Sequence, residues 1–189
     1  MPRLILASAS PARARLLASA GMAFEVVVSG VDEDESLGVA ALARHKAEAV
    51  ASALSDGLVL GCDSMFEFEG ALLGKPASAD EATTRWRHMR GHEGVLHTGH
   101  CLIDAASGEM AEEVDDTIVR FGDVSDAEID AYVATGEPLR VAGGFTLDDM
   151  GAPFVESVVG NPGTVIGVSL PVVRRLLGRL GMAVHELWR

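Results

Sequence analysis

The chain has 189 residues, of which 48% are hydrophobic and 23% are charged, a composition typical of an ordinary globular protein and not of a disordered or fibrous one. Its formal net charge of −13 argues against a nucleic-acid polymer or an anionic membrane as partner, because phosphate surfaces are bound by excess Lys and Arg. No apolar run approaches the ~20 residues of a membrane span. The apolar start is too short for a secretory signal, so we expect a cytoplasmic protein without membrane binding.

The first predicted elements are a strand and a helix in direct succession. Residues 3–7 form an apolar run suited to a buried strand. Ser10 followed by Pro11 is typical of a helix N-terminus, and Gly21 is typical of the point where that helix ends.

The next elements repeat this order. Residues 24–28 are rich in β-branched side chains and predict a strand, and residues 39–54 have the periodicity of a helix that would carry Lys46. Residues 58–62 predict a second buried strand. Asp63 is therefore expected near a strand end.

The remaining two thirds of the chain continue the alternation of strands and helices. We predict a hairpin turning at 69–70, a helix over 78–89, strands over 95–103 and 109–121, a helix over 125–136, a strand over 155–159 and a helix over 169–180. Because no repeat, low-complexity tract or linker interrupts this order, residues 1–189 are expected to form a single domain.

Lysine is rare in this chain. Thirteen of the fifteen basic residues are Arg, and only Lys46 and Lys75 are Lys, as a GC-rich coding bias would produce. An ammonium is a compact point charge that a guanidinium fork does not reproduce. The two lysines are therefore candidates for a chemical role, and the alternative is that both are incidental surface residues.

The junction between the first strand and the first helix is a candidate anion site. A helix N-terminus presents N–H groups and the positive end of the helix dipole, which favour a phosphate. Ser8 and Ser10 would add hydroxyl donors, and Arg13 would add a bidentate guanidinium. Ser10 is explained equally well as a helix N-cap, so both interpretations stay open.

Acidic residues and the two lysines together suit a triphosphate. The lysines Lys46 and Lys75 would bind phosphates, and Asp63 and the acidic segment 32–35 would bind a divalent metal or activate water. Spacing alone does not show that these residues converge. A second acidic segment, 112–116, is better explained as the solvated face of a strand.

Residues 92–101 contain three histidines and a cysteine, which is a candidate zinc set. His97 and His100 would point to opposite faces of a strand, and no further Cys or His pair has the standard spacing, so zinc is not expected. Cys62 and Cys101 lie in no disulfide or redox motif, and we expect reduced, buried thiols.

A series of motifs covers nearly the whole chain. They are LASASPARARLL, GVDEDE, ARHKAEAV, GCDS with LLGKP, HTG, YVATGEPLRVAGGF and NPGTVIGVSLP. Taken in this order, they resemble the Maf, or septum-formation-inhibitor-like, family of nucleoside triphosphate pyrophosphatases. The resemblance implies hydrolysis of a nucleoside triphosphate between its α and β phosphorus atoms, with a divalent metal, Mg²⁺ or Mn²⁺, as cofactor.

The resemblance also implies roles for particular residues. Asp63 would be the general base, and Glu33 would help it hold the metal. The implied phosphate ligands are Ser8, Ser10, Arg13, Lys46 and Lys75. The two lysines would thereby act in catalysis as well as in substrate binding.

Three further positions correspond to those that select the base in this family. The pyrimidine branch has Arg, Thr and Gln where this chain has Ala12, Ser64 and Asp148. The branch acting on 7-methyl-GTP has a carboxylate at the third position but Gln at the second, so neither branch matches and the base stays open. A carboxylate would accept hydrogen bonds from guanine or from the cytosine amino group, and it would repel a thymine or uracil carbonyl. Gly94 stands where many relatives have His, so no role is assigned to the nearby histidines.

The order of elements predicts an α/β fold with a mixed, strongly twisted central sheet flanked by helices, and two lobes around a nucleotide cleft. A nucleotidyltransferase is disfavoured because residues 8–10, Ser-Ala-Ser, replace its glycine-rich loop. The remaining alternative is a non-catalytic nucleotide-binding regulator of cell division or septum formation, against which Asp63 and Glu33 argue. The family implies a homodimer, for which the sequence offers no apolar stripe.

Overall fold

The computed structural model describes residues 2–32 and 34–189. The strands are β1 (Leu4–Leu6), β2 (Phe24–Val26), β3 (Leu58–Phe68), β4 (Ala71–Leu73), β5 (Glu93–Asp104), β6 (Met110–Phe121) and β7 (Val155–Val159). The α-helices are α1 (Pro11–Ser19), α2 (Gly38–Ala51), α3 (Ala79–Met89), α4 (Asp126–Ala134), α5 (Pro162–Ile166) and α6 (Leu170–Arg179). Short 3₁₀ helices cover Glu35–Leu37, Glu137–Arg140, Ala142–Gly144, Ala152–Phe154 and Val184–Leu187. In the part of the chain so described, we find no helix with the length and apolar character that crossing a membrane requires.

Seven strands form one mixed sheet in the order β2-β1-β3-β5-β6-β7, with β4 paired to β3. Strand β1 pairs in parallel with both β2 and β3, so that Leu4 lies opposite Phe24 on one side and Leu58 on the other. The pairs β3–β4 and β6–β7 are antiparallel. The α/β fold class with a mixed sheet and flanking helices is confirmed.

The chain divides into two compact units. Unit 1 comprises Met1–Asp63, Thr98–Asp115 and Gly167–Arg189, and unit 2 comprises Ser64–His97 and Asp116–Ile166. The divisions fall inside β3, β5 and β6, so each unit is built from several separate parts of the chain. That residues 1–189 act as one domain around a nucleotide cleft stays a prediction.

Unit 1 has an apolar core on each face of its strands. Leu4 and Leu6 pack with α1 and α6 through partners such as Leu17 and Val172. The residue between them, Ile5, packs on the opposite face with α2. Successive strand residues point to opposite faces, so strands covered by helices on both sides are continuously apolar, as residues 4–7 are.

Unit 2 has a core rich in aromatic rings. The Phe145 ring packs edge to face against Phe66 and Phe121, with centroid distances of 5.0 Å for both pairs. Trp86 of α3 and Tyr132 of α4 belong to the same cluster, and the centroids of these two rings are 5.5 Å apart. This packing fixes α3 and α4 on unit 2, because edge-to-face aromatic pairs add to the stabilisation that area burial alone provides.

The structure differs from the sequence predictions at two places. Strand β3 does not end before Asp63 but continues to Phe68, so Asp63 lies inside an eleven-residue strand. In the sequence alone, a charged residue after an apolar run indicates the end of a buried strand. Asp63 can lie inside β3 because Lys46, from α2, compensates for the burial of its charge. The five-residue helix α5 was not predicted, since residues 162–166 span little more than one helical turn.

Candidate active site

The start of α1 has the cap that the sequence predicts. The Ser10 Oγ accepts a hydrogen bond from the backbone N–H of Arg13 at 3.4 Å, and Pro11 occupies the first turn. The Ser8 Oγ in turn accepts a hydrogen bond from the Ser10 N–H at 3.2 Å. Ala12 is half-buried in the first turn. Both hydroxyls therefore lie at the helix N-terminus, where the dipole favours an anion.

Arg13 is a buried cation held by backbone and side-chain oxygens. Its Nε donates to the Gly167 carbonyl oxygen at 2.8 Å, and its Nη1 donates to the Ser8 Oγ at 3.0 Å. Gly167 has a φ of +117°, and a Cβ there would lie 2.9 Å from the Arg13 Nε. These two hydrogen bonds orient the guanidinium at the start of α1.

Lys46 and Asp63 form a buried ion pair in unit 1. The Lys46 Nζ donates to the Asp63 Oδ1 at 2.7 Å, and the two side chains are only 7% and 10% exposed. Lys46 lies in the buried stripe of α2 together with Leu42 and Ala43. A single buried charge is strongly destabilising, so each partner compensates for the burial of the other.

The Ala7 N–H, just before Ser8, donates to the Leu60 carbonyl oxygen of β3 at 2.8 Å, so the start of α1 follows a strand that neighbours the strand of Asp63. Burial raises the pKa of the Cys62 thiol to about 11, while the charges of Arg13 and Lys46 act to lower it and Asp63 acts to raise it. Cys62 precedes Asp63 on β3. Unit 1 therefore brings five of the predicted residues, Ser8, Ser10, Arg13, Lys46 and Asp63, to one region.

Two glycines explain why α2 lies close enough for this ion pair. A Cβ at Gly61 would lie 2.1 Å from the Ala43 carbonyl oxygen, and one at Gly99 would lie 2.2 Å from that of Val39. Atoms cannot approach that closely, so only glycine allows the helix backbone to rest directly on β3 and β5. The sequence signal for these contacts is a glycine within an apolar strand, which suggests close backbone approach.

We expect Gly61→Ala to lower the free energy of unfolding by about 1–3 kcal/mol, the usual range for overpacking. The added methyl would push α2 away from β3 and lengthen the contact between Lys46 and Asp63. Urea unfolding checks this, with Gly178→Ala in α6 as control because a Cβ at Gly178 meets no atom within 4 Å. Equal stability of the Gly61 variant and the wild type would contradict the account.

His100 supports the segment that binds Arg13. Its Nε2 accepts a hydrogen bond from the Ser169 N–H at 2.8 Å, so the neutral ring carries its proton on Nδ1. Ser169 follows Gly167, whose carbonyl binds Arg13, by two residues. Burial, together with the charge of Arg13, lowers the pKa of His100 from 6.5 to about 4, so the imidazole is neutral at pH 7.

This lowered pKa predicts acid destabilisation. Below pH 6.5 the unfolded chain binds a proton at His100 that the folded chain binds only near pH 4, so unfolding becomes easier as the pH falls through this window. The loss should reach about 3 kcal/mol near pH 4. Urea unfolding between pH 7 and pH 4 should therefore be less pH-dependent in His100→Gln than in the wild type. The exposed control His88→Gln should retain the wild-type slope, and an unchanged slope in His100→Gln would refute the expectation.

Unit 2 carries Lys75 on an anchored segment. The preceding residue, Gly74, accepts hydrogen bonds through its carbonyl from the Gly143 N–H at 3.2 Å and from the Arg85 Nη1 at 2.6 Å. Lys75 itself is exposed. Its backbone is therefore fixed while its side chain reaches solvent, as a phosphate ligand requires.

Asp148 and Ser64, two predicted base-selecting residues, also belong to unit 2. Asp148 is exposed and Ser64 is half-buried. Thr146 and Met150, two positions before and after Asp148, both donate hydrogen bonds to the Glu137 carboxylate. Glu137 was not identified from the sequence as a buried, hydrogen-bonded carboxylate, because its partners lie as far along the chain as Gly151. The convergence of Lys75, Ser64 and Asp148 with the residues of unit 1 stays a prediction.

The predicted metal ligand Glu33 lies outside the described residues. Among residues 2–32 and 34–189, no group of three or more His, Cys, Asp and Glu side chains is arranged to hold a metal ion. His97, from the histidine-containing segment 92–101 for which zinc was not expected, contacts the carboxylates of Asp116 at 2.7 Å and Glu67 at 3.3 Å. Asp63 supplies the hard oxygen atoms that Mg²⁺ and Mn²⁺ prefer, and its two oxygens have lone pairs beyond the one bonded to Lys46.

The acidic segment 112–116 lies on β6 as predicted, but it is less solvated than expected. The Glu112 carboxylate binds Arg44 through two hydrogen bonds, of 2.6 and 2.5 Å. Glu113 binds Arg175 and Arg179. These ion pairs hold α2 and α6 on unit 1.

Gly94 has a packing explanation within unit 2. A Cβ there would lie 2.3 Å from the Phe66 ring and 2.7 Å from the Glu67 carbonyl oxygen. The buried Phe66 ring occupies the space that a side chain at position 94 would need. A side chain at this position therefore requires a different arrangement of the core.

The sequence profile described as Maf-like protein matches residues 3–180. The chain belongs to the Maf-like family. The match includes every residue that carries the candidate site, from Ser8 to Gly167. The Maf family assignment made from the motifs is thus confirmed.

Curated relatives of this Maf-like chain are similar over nearly its full length. A protein of Streptomyces avermitilis is 54% identical over 98% of this chain and 94% of its own. A protein of Salinispora tropica is 53% identical over 98% of this chain and 87% of its own length. A protein of Gloeothece citriformis is 48% identical over 98% of this chain and 97% of its own length. All three are named nucleoside triphosphate pyrophosphatase.

Proposed function

We propose that this chain is a nucleoside triphosphate pyrophosphatase, which hydrolyses its substrate between the α and β phosphorus atoms. The buried Lys46–Asp63 ion pair, in the same unit as the Arg13 cluster and on a neighbouring strand, is the observation that carries the proposal. In this pair, a carboxylate that can activate water lies beside a cation that can bind a phosphate. The names of the relatives, at 48–54% identity, support the same activity.

The proposed phosphate ligands provide a local positive site in an acidic protein. They are Ser8, Ser10, Arg13, Lys46 and Lys75. Because the chain has a formal net charge of −13, a polyanionic substrate requires such a concentrated set of cations and N–H donors. Attack on the α-phosphorus increases the charge on its oxygens and on the departing pyrophosphate, so fixed cations stabilise the transition state more than the ground state.

Asp63 is the proposed general base. It orients a water molecule and accepts one of its protons while the water oxygen bonds to the α-phosphorus. The bond from the α-phosphorus to the bridging oxygen breaks, and its electron pair leaves with pyrophosphate. Lys46 holds the carboxylate in place through the hydrogen bond to its Oδ1.

A divalent cation, Mg²⁺ or Mn²⁺, is part of the proposal. Asp63 would hold it together with Glu33, and both offer the carboxylate oxygens that these ions prefer. The ion supplies Lewis-acid stabilisation of phosphate charge.

Base selection is assigned to Ala12, Ser64 and Asp148. Asp148 can accept hydrogen bonds from guanine or from the amino group of cytosine, and it would repel the carbonyls of thymine and uracil. We therefore expect a thymine or uracil nucleotide to be disfavoured, and the preferred base stays open.

The proposal also includes a location and an oligomeric state. A cytoplasmic location would place the enzyme with the nucleoside triphosphate pool. A homodimer is the assembly that the family resemblance implies, and the molar mass in solution, measured by light scattering, tests it.

A screen of standard and modified triphosphates, with Mg²⁺ and with Mn²⁺, tests the activity. We expect equal amounts of nucleoside monophosphate and pyrophosphate from at least one substrate. Release of orthophosphate and a diphosphate would contradict the proposed cleavage site. Tight nucleotide binding without turnover would instead favour the non-catalytic regulator of cell division.

A further inference from the structure

Glu137 is a buried carboxylate in unit 2 with no role in the proposed chemistry. It lies at the start of the 3₁₀ helix after α4 and is only 6% exposed. A buried carboxylate is strongly destabilising unless it accepts several hydrogen bonds. Its presence in the core therefore requires an explanation from its partners.

Four donors surround this carboxylate. The Oε1 accepts hydrogen bonds from the Tyr132 hydroxyl at 2.7 Å, the Thr146 hydroxyl at 2.5 Å and the Gly151 N–H at 3.0 Å. The Oε2 accepts one from the Met150 N–H at 3.2 Å. Burial raises the pKa of Glu137, but the hydrogen bonds from Thr146 and Tyr132 and from the two N–H groups outweigh it and hold the pKa below its usual value. Glu137 is thus charged at pH 7.

Three of these donors belong to one loop, residues 146–151. The Thr146 Oγ1 also accepts a hydrogen bond from the Gly151 N–H at 3.0 Å, so the two ends of the loop are joined to each other and to Glu137. Gly151 must be glycine, because a Cβ there would lie 2.5 Å from the Tyr132 hydroxyl oxygen. Asp148 lies in the middle of this loop and is exposed.

The neighbouring part of the chain is anchored independently of Glu137. The Gly144 carbonyl accepts a hydrogen bond from the Trp86 Nε1 at 2.8 Å, and the Gly143 N–H binds the Gly74 carbonyl. The segment next to Lys75 is therefore fixed by other contacts. Loss of the Glu137 carboxylate should release residues 146–151 and leave the Lys75 segment in place.

We propose that Glu137 is a positioning residue that fixes the loop 146–151 and thereby aims Asp148 at the nucleotide base. This inference rests on the proposed function, in which Asp148 reads the base. Glu137 acts only through the loop and contacts no phosphate. Its removal should therefore lower the selectivity among bases more than the rate on a substrate without a base.

The variant Glu137→Gln tests this inference because it keeps the side-chain size and removes the charge. We would measure kcat/KM for the bases that the wild type prefers most and least, and for ribose 5-triphosphate, which has no base. We expect the ratio between the two bases to fall about tenfold or more, as when a polar recognition group is misplaced. The rate on ribose 5-triphosphate should stay within about twofold of the wild type.

Hydrogen exchange supplies a readout that does not depend on turnover. The amides of Met150 and Gly151 should exchange faster in Glu137→Gln, because one of the two acceptor oxygens becomes an NH2 group that cannot accept and the remaining oxygen carries no charge, while the Gly143 amide should not change. The control Glu156→Gln removes the same charge from an exposed position of unit 2 and should change neither exchange nor selectivity. If Glu137→Gln does not fold, Tyr132→Phe removes one of the hydrogen bonds and should show a smaller change in the same direction.

An unchanged ratio between bases, or an equal loss on ribose 5-triphosphate, would overturn the inference and leave the proposed function intact. If the wild type turns over no triphosphate, the proposed function fails. Equilibrium affinities for the same nucleotides then replace the rates, and an unchanged affinity ratio in Glu137→Gln would overturn the inference separately.

Discussion

Replacing Asp63 with Asn should lower the rate of pyrophosphate release by about two orders of magnitude or more, the usual contribution of a general base. The amide oxygen can still accept the hydrogen bond from Lys46, so the side chain should keep its place on β3. An amide cannot accept a proton from water at pH 7. Initial rates at saturating substrate measure the loss, and calorimetry with a non-hydrolysable triphosphate should show that nucleotide still binds.

The matched control for this variant is Asp56→Asn. Asp56 lies in the same unit with a 73% exposed side chain, and its Oδ1 lies 3.7 Å from the Arg3 Nη1. Its substitution should leave turnover unchanged. Wild-type turnover in Asp63→Asn, in a sample shown to be free of contaminating enzyme, would remove Asp63 from the role of base.

Replacing Lys46 with Met should lower both stability and activity. Met keeps an apolar stem in the stripe of α2 but leaves the buried Asp63 carboxylate without its ammonium partner. Breaking a buried ion pair in this way costs about 3–5 kcal/mol in the free energy of unfolding. Turnover should also fall by about two orders of magnitude, because the base loses its orienting partner and the phosphates lose a cation. Urea unfolding and initial rates measure the two effects.

Two companion variants separate stability from chemistry. Replacing both partners, Lys46→Met with Asp63→Leu, should recover much of the lost stability and none of the activity, because apolar residues can replace a buried ion pair without loss. Lys46→Arg keeps the charge but not the compact ammonium, so activity should stay low. An unfolding midpoint of Lys46→Met at the same urea concentration as the wild type would contradict a stabilising role for the ion pair.

The sequence predicts the elements of this chain better than it predicts their contacts. The apolar run at residues 4–6 and the cap at Ser10 are local signals, and both match the structure. The position of Asp63 within β3 was wrong, because the residue that compensates its burial, Lys46, lies 17 positions earlier on a helix. A charged residue after an apolar strand pattern predicts the end of the strand unless the oppositely charged residue that pairs with it is known.

The candidate site shows the same division between local and distant signals. Motif positions made Arg13 a candidate, but they could not show that Arg13 binds Gly167, which lies 154 residues later. Glu137 has no local pattern that predicts burial, since its donors come from α4 and from a loop up to 14 residues away. Single residues are therefore predictable from type and spacing, and hydrogen-bonded networks require the fold.

The position of water attack tests the central claim most directly. Hydrolysis of the best substrate in water enriched in oxygen-18, followed by mass spectrometry of both products, shows which phosphorus is attacked. The account predicts one labelled oxygen in the nucleoside monophosphate and none in the pyrophosphate released. Label in the pyrophosphate, or label in released orthophosphate, would contradict attack at the α-phosphorus.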